Sequence, residues 1–229
     1  MRNIFQVKTG IQVPIHLMYL ELGQVPAIFQ IQRFKLNFLQ YILHQKETSL
    51  LYQMLMAQKE NPIRNDWVSE VSELINDLGI NLNFEDIRNM SRKCFKKLTK
   101  AKTSEAAFLE LKRKQENGSK GRTIRYGESL AMADYLCPNS HLSVPDQRDL
   151  FQIQSRTNPL PANRGNPQLC LCGEEQVNSH ILQCEITNPR EKIELELLIN
   201  GSLIEMKRNL LQWRGSIENL EILNSMDSV

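Results

Sequence analysis

The segment CLCGEEQVNSHILQC contains the residues of this sequence whose types and spacing best suit chemistry. It places three cysteines and one histidine in the pattern C-x-C-x7-H-x3-C, at Cys170, Cys172, His180 and Cys184. Thiolate and imidazole groups are the ligands that zinc prefers, usually four in a tetrahedron. His180 and Cys184 are four residues apart, so one helical turn places both on the same face. The sequence therefore predicts a zinc site with these four ligands.

Four protein ligands leave no coordination position for a substrate, so we expect the zinc to be structural and to do no chemistry. The gap of one residue between Cys170 and Cys172 is shorter than the usual two to four. The alternative interpretation is that these residues are buried thiols and a surface histidine that meet by chance. Cys94 lies on the apolar side of a predicted helix and is expected in the core. Cys137 and His141 form only a weak indication of a second site.

Positive charge is concentrated between residues 87 and 126, where 13 Lys and Arg stand against three Glu. The whole chain of 229 residues has a net charge of only +2. On a helix the cations of this stretch share a face and repel one another, and a polyanion would relieve that repulsion. The candidate nucleic-acid-binding residues here are Arg92, Lys93, Lys96, Lys97, Lys100 and Lys102. The alternative is a solvated charged face, and the stretch offers no aromatic stacking platform because Phe95 and Phe108 are expected in the core.

Apolar periodicity predicts a mainly α protein: a helical bundle, then a small irregular zinc-knuckle-like module and terminal helices. The helix after Pro26 has two apolar faces and is expected to be buried on most sides. One face carries Ile28, Ile31, Phe34, Phe38 and Tyr41, and the other carries Leu36, Leu39 and Leu43. Thr48 or Ser49 suits an N-cap, and Asn83 with Asp86 resembles a capping box. A helix-rich region is expected to run to about residue 115, with an interruption near residues 103–104.

These elements divide the sequence into four predicted segments. Residues 1–48 form an entry segment with the buried helix, and residues 49–118 form a helical region with a basic face. Residues 119–188 are a loop-rich segment that contains the zinc motif. Residues 189–229 contain two C-terminal helices, at 190–199 and 202–223.

Composition excludes several other classes of protein. No stretch approaches the roughly 18 consecutive apolar residues of a transmembrane helix, and the amino terminus lacks the pattern of a secretory signal. Five cysteines without an export signal are expected to be reduced thiols in an intracellular compartment, nuclear or cytoplasmic. We expect neither a membrane partner nor a small-molecule substrate.

Three blocks in order, at residues 20–43, 57–102 and 170–184, resemble the carboxy-terminal region of non-LTR retrotransposon reverse transcriptases. In that family the region continues from thumb-like helices into a Cys-His zinc motif, and its implied role is to bind template RNA and target DNA. The resemblance matches Cys172, His180 and Cys184 to three zinc ligands. Relatives place the first cysteine where this chain has Leu169, so either Cys170 serves instead or the site retains three ligands. The resemblance also adds Arg156 and Arg164, just before the motif, to the candidate nucleic-acid-binding residues.

A reverse transcriptase needs a Tyr-x-Asp-Asp turn to hold its metal ions, and this sequence contains no Asp-Asp pair. We therefore expect no enzymatic activity, and a non-catalytic, zinc-stabilised module that binds RNA or DNA. One alternative is an interaction protein that docks through the apolar helix at 28–43, for example onto the polymerase portion of a retroelement. Another is a retroelement relic without function.

Overall fold

The fold is mainly helical, as the sequence predicts. It is seen in a computed structural model that describes residues 14–63, 66–118, 127–155, 160, 169–187, 195, 198 and 201–226. The helices are α1 (Ile15–Glu21), α2 (Ala27–Leu43), α3 (Leu50–Glu60), α4 (Trp67–Asp77), α5 (Phe84–Asn89), α6 (Arg92–Asn117), α7 (Val144–Gln154), α8 (Asn178–Gln183) and α9 (Leu203–Met226). The described residues contain no strand, only the isolated bridges Leu22–Met132 and Leu169–Glu175. Among them no helix combines the length and apolar character needed to span a membrane.

The chain divides into two compact units. The helical unit consists of residues 24–112 and 128–130, and the cysteine unit consists of residues 1–23, 113–127 and 131–229. These units do not follow the four sequence segments, because the helical unit joins part of the first segment to most of the second.

Side-chain caps fix the starts of α3 and α5 in the helical unit. Ser49 accepts a hydrogen bond from the backbone N–H of Tyr52 at the start of α3. Asn83 and Asp86 form the predicted capping box at the start of α5. Each cap satisfies a backbone donor that has no partner within the helix. The sequence therefore located these helix starts correctly.

The expected interruption near residues 103–104 is wrong, because α6 continues through them. The Thr103 hydroxyl donates to the carbonyl of Thr99 at 2.7 Å, one turn earlier. A hydroxyl bound to the carbonyl four residues earlier bends or slightly weakens a helix but does not end it, so α6 continues through this position.

One face of α2 forms the core of the helical unit. Leu36, Leu39 and Leu43 are buried and belong to the same cluster as Ile87 and Phe95. The side-chain amide of Gln40 donates to the carbonyl oxygens of Ile87 and Met90, at 3.3 and 3.0 Å, and so joins α2 to the end of α5. The core positions of Phe95 and Phe108 are confirmed.

The other face of α2 is exposed, and the prediction that this helix is buried on most sides is wrong. Helices α3, α4 and α5 all pack against α2. The core they form takes the leucine face and leaves a second apolar stripe, the α2 stripe, at least 46% exposed at each position. The α2 stripe comprises Ile28, Ile31, Phe34, Phe38 and Tyr41. Periodicity reveals that two faces are apolar, but it does not reveal whether the chain has elements to cover both.

The prediction that Cys94 lies in the core is also wrong, because its side chain is exposed. The prediction placed Met90 on the same helix, but Met90 ends α5 and α6 begins at Arg92. Phe95 is the residue of the first turns that points into the core. Because one helix ends before Met90 and another begins at Arg92, the spacing from Met90 does not predict which side of α6 faces the core.

The cysteine unit contains a second apolar cluster. Its buried residues come from the 3-10 turn Asp134–Leu136, from α7, α8 and α9, and from residue 198. They are Tyr135, Leu136, Leu150, Phe151, Ile153, Leu182, Leu198, Met206, Leu210 and Trp213. Helix α9 confirms the helix predicted at 202–223. The helix predicted at 190–199 lies almost entirely outside the described residues.

The segment around α1 belongs to this same unit. The Tyr135 hydroxyl donates to a carboxylate oxygen of buried Glu21 at 2.7 Å. Gly23 adopts φ +60°, and a β carbon at this position would lie 2.5 Å from backbone atoms of Ala131 and Met132. Only glycine allows both that backbone conformation and that close approach.

Candidate metal centre

A tight turn presents the first two cysteines of the predicted site. The N–H of Cys170 donates to the carbonyl of Glu174 at 2.7 Å, and the N–H of Gly173 donates back to the carbonyl of Cys170 at 2.8 Å. Gly173 has φ +90°, in the region that favours glycine. This turn brings Cys170 and Cys172 into one cluster although only one residue separates them.

Helix α8 supplies the other two residues. His180 lies within α8, and Cys184 follows its last residue and donates its N–H to the carbonyl of His180 at 2.7 Å. The inner face of α8 carries Ile181 and Leu182, which are fully buried. The Asn178 side chain donates to the carbonyl of Ile153 at 3.3 Å. Packing and this hydrogen bond therefore fix the helix that carries the ligands.

The four side chains have the dimensions of a tetrahedral metal site. All four ligand atoms lie within 4.8 Å of one another. The Sγ of Cys184 is 3.7 Å from that of Cys170 and 3.8 Å from that of Cys172, and the Cys172 sulfur is 3.2 Å from Nε2 of His180. Sulfur atoms on a regular tetrahedron with metal–sulfur bonds of about 2.3 Å are about 3.8 Å apart. These four residues therefore form a cluster that can hold a metal ion.

Burial and hydrogen bonds distribute protons unequally between two of the thiols. Burial raises the pKa of Cys170 to about 11. Burial also opposes ionisation of Cys184, but its pKa is lowered because backbone N–H groups of Thr187 and Ile186, with further side-chain hydrogen bonds, favour the thiolate. Cys184 is therefore the first of this buried pair to become a thiolate, the form that binds metal.

One edge of the cluster is open to solvent. Cys170 and Cys184 are buried, whereas Cys172 is exposed and His180 is partly exposed. A metal ion therefore has an entry path on the side of Cys172. Leu169, where the family resemblance places a cysteine, is 66% exposed and is not part of the cluster.

Sequence reasoning missed the residues that support Cys184. Thr187 is buried, its backbone N–H favours the Cys184 thiolate, and its hydroxyl donates to the carbonyl of Ile181 at 3.0 Å. The position of a threonine three residues after the last cysteine was the available signal. Cys137 and His141 belong to no candidate metal cluster among the described residues, and the Cys137 thiol instead lies 3.7 Å from the carbonyl of Ala133.

The predicted basic face lies on the first part of α6. Five of its six cations are exposed: Arg92, Lys93, Lys96, Lys97 and Lys100. Lys102 is partly buried and pairs with Glu105 at 3.1 Å. The five exposed cations form no ion pair within the part of the chain that the structure describes. Arg156 and Arg164 lie outside the described residues.

Comparisons of the chain with protein-family models, with curated proteins and with solved structures find no match. The family resemblance of the sequence therefore remains an expectation, and the chemistry of the cluster and of α6 is the structural guide to function.

Proposed function

We propose that this protein is a non-catalytic nucleic-acid-binding module that a structural zinc ion stabilises. The first part of α6 is the binding face, and Cys170, Cys172, His180 and Cys184 are the zinc ligands. The observation that carries the proposal is the row of five exposed cations on one helix, none of which has an ion-pair partner among the described residues.

The ligand set favours zinc over other common metal ions. Calcium and magnesium prefer oxygen ligands, and the cluster has none. Three sulfurs and one imidazole in a tetrahedral arrangement suit zinc, and four protein ligands leave no open position for catalysis. The bound ion would join the Cys170–Gly173 turn to α8 and would thereby stabilise the cysteine unit.

The electrostatics of α6 favour a polyanionic ligand. Arg92 and Lys93 lie in the first turn, where the helix dipole is positive, and this turn contains no acidic residue. Lys96, Lys97 and Lys100 extend the same charge along the next two turns. Like charges at these spacings destabilise a helix, and phosphate groups would remove that cost. A polyphosphate backbone is the partner that this face fits, and such binding is largely independent of sequence.

The expected family supports the same function. The resemblance of the three sequence blocks to the carboxy-terminal region of retrotransposon reverse transcriptases implies contact with RNA and DNA. We propose that the chain performs this binding role for a retroelement polyprotein, without a polymerase active site of its own.

The test is a salt titration of binding to a labelled oligonucleotide by fluorescence anisotropy. Replacing Lys96, Lys97 and Lys100 with glutamine should weaken binding at low salt and reduce the slope of log K against log[salt] by about 2 to 3. The matched control replaces Lys46, Lys59 and Lys207, which are exposed elsewhere, with glutamine and removes the same charge. Equal losses in the two variants would show that binding depends only on net charge and would overturn the assignment to α6.

A further inference from the structure

Helix α2, which carries exposed aromatic rings, contacts the basic helix α6. Asn37 on α2 accepts a hydrogen bond from the Thr99 hydroxyl on α6, with 3.3 Å between the oxygens. Both residues belong to the helical unit. The two helices are therefore in contact at these positions.

The rings come from the α2 stripe. Phe34 precedes Asn37 by three residues and Tyr41 follows it by four, and the two residues are 60% and 46% exposed. On α6, Lys96 lies three residues before Thr99 and Lys100 directly follows it. Helix neighbours at these spacings have β carbons about 5–6 Å apart, so the Phe34 ring and the Lys96 side chain begin within about 20 Å of each other.

Other contacts hold the rings in a fixed arrangement. The Phe38 ring stacks on Tyr41 with centroids 6.0 Å apart and meets Trp67 edge to face at 5.8 Å. The Arg33 guanidinium lies 5.6 Å from the Phe34 centroid. Arg33 has no carboxylate partner in the described parts of the chain. A cation therefore accompanies the rings on α2 itself.

We propose that this surface binds single-stranded nucleic acid, with bases stacked on Phe34 and Tyr41 and phosphates held by Arg33, Lys96 and Lys100. Flat rings accept unpaired bases of any sequence, and adjacent cations follow the backbone. In a duplex the bases are stacked on one another and do not reach the rings. This inference rests on the proposed function and narrows it from nucleic acid in general to single strands. An acidic amphipathic helix of another protein is the alternative ligand for this surface, because it also combines apolar groups with negative charge. Flat rings beside exposed cations favour single-stranded nucleic acid over such a helix.

The experiment measures the affinity of the full chain for a labelled single-stranded DNA, for the RNA of the same sequence, and for the DNA duplex, at one salt concentration. We expect tighter binding of the single strands than of the duplex. Phe34→Ala should weaken single-strand binding about fivefold or more and leave duplex binding unchanged. Leu50→Ala removes a 71% exposed side chain from α3 and serves as the control, with no effect on either. Circular dichroism verifies that each variant retains its helices.

Two results would overturn the inference while leaving the proposed function intact. One is equal affinity for single strands and duplex with no effect of Phe34→Ala, combined with loss of binding in the variant that lacks Lys96, Lys97 and Lys100. In the other, the chain binds an acidic amphipathic peptide or associates with itself, and Phe34→Ala abolishes that binding or association. The same variant leaves the affinity for single strands unchanged. Failure of the unaltered protein to bind any of the three oligonucleotides would instead contradict the proposed function itself.

Discussion

If the proposed zinc ion binds, replacing Cys170 with serine is expected to remove one of the three sulfurs from its coordination shell. The sequence does not decide whether Cys170 is a ligand, because relatives in the resembling family have a cysteine at the position that Leu169 occupies here. The structure brings the Cys170 sulfur to 3.7 Å from that of Cys184. A hydroxyl at this position is a poorer zinc ligand than a thiolate, which zinc sites use by preference.

The ligand distances set the size of the effect. Sulfur–sulfur separations of 3.7 and 3.8 Å correspond to a tetrahedral centre with metal–sulfur bonds of about 2.3 Å. Removing an outer-shell partner of a metal ligand already costs 10- to 100-fold in affinity, so loss of the ligand itself should cost about 100-fold or more. With zinc at about 100 times the original Kd, that change would lower the stability of the cysteine unit by about 2 kcal/mol.

X-ray absorption spectroscopy of zinc-loaded protein is the direct assay, with a competitive chelator titration for affinity. The unaltered protein should give one zinc per chain, with three sulfurs at about 2.3 Å and one nitrogen at about 2.0–2.1 Å. Cys170→Ser should give two sulfurs, and Leu169→Ala should retain three. If Cys170→Ser has the same number of sulfur ligands and the same zinc affinity as the unaltered protein, then Cys170 is not a ligand. The assignment of a tetrahedral site to these four residues would then be wrong.

Three further predictions concern the stability of the two units. Gly23→Ala should destabilise the cysteine unit by about 2–5 kcal/mol in chemical denaturation, because it combines a left-handed backbone with a backbone clash. Gly79→Ala has the same positive φ of +61° and nothing within 4 Å of the added methyl, so it should cost the helical unit only about 1–2 kcal/mol, and equal losses would contradict the clash. Gly215→Ala, in the interior of α9 with open space around it, should raise the midpoint of unfolding of the cysteine unit by the equivalent of about 1 kcal/mol; a decrease would show that the site is more crowded than the structure indicates. Burial disfavours the charged form of Asp146, but hydrogen bonds from Ser143 and Arg214 lower its pKa, so its contribution to stability is present above its unfolded-state pKa and is lost as pH falls through the folded value. The destabilisation caused by Arg214→Gln should therefore be large at pH 7 and should shrink in acid, and a pH-independent difference would remove Asp146 from the explanation.

Local signals in the sequence were sufficient for the helix starts and for the metal cluster. The caps at Ser49 and at Asn83 with Asp86 act on backbone groups three residues away, so their roles follow from spacing alone. The same is true of His180 and Cys184, one turn apart. Where the required geometry spans a few residues, residue type and spacing determine it.

Contacts between distant residues were not predictable in this way. Glu21 and Tyr135 are 114 positions apart, and no pattern in the sequence predicts that they form a hydrogen bond. The exposure of Phe34 depends on how many elements pack around α2, which periodicity does not count. The proposed stacking platform, absent from the basic segment itself, would come from another helix that reaches this segment through the contact of Asn37 with Thr99.

The bond between Glu21 and Tyr135 also has a consequence for synthesis on the ribosome. The helical unit is inserted between parts of the cysteine unit, so its main span is complete when residue 112 has emerged and can fold first. Met18 and Leu22 pack against a cluster whose other members begin at residue 132, so these contacts form only after that residue has been translated. A seven-residue helix has little stability without packing. We therefore expect helix α1 to be translated before the helical unit and to complete its packing after it.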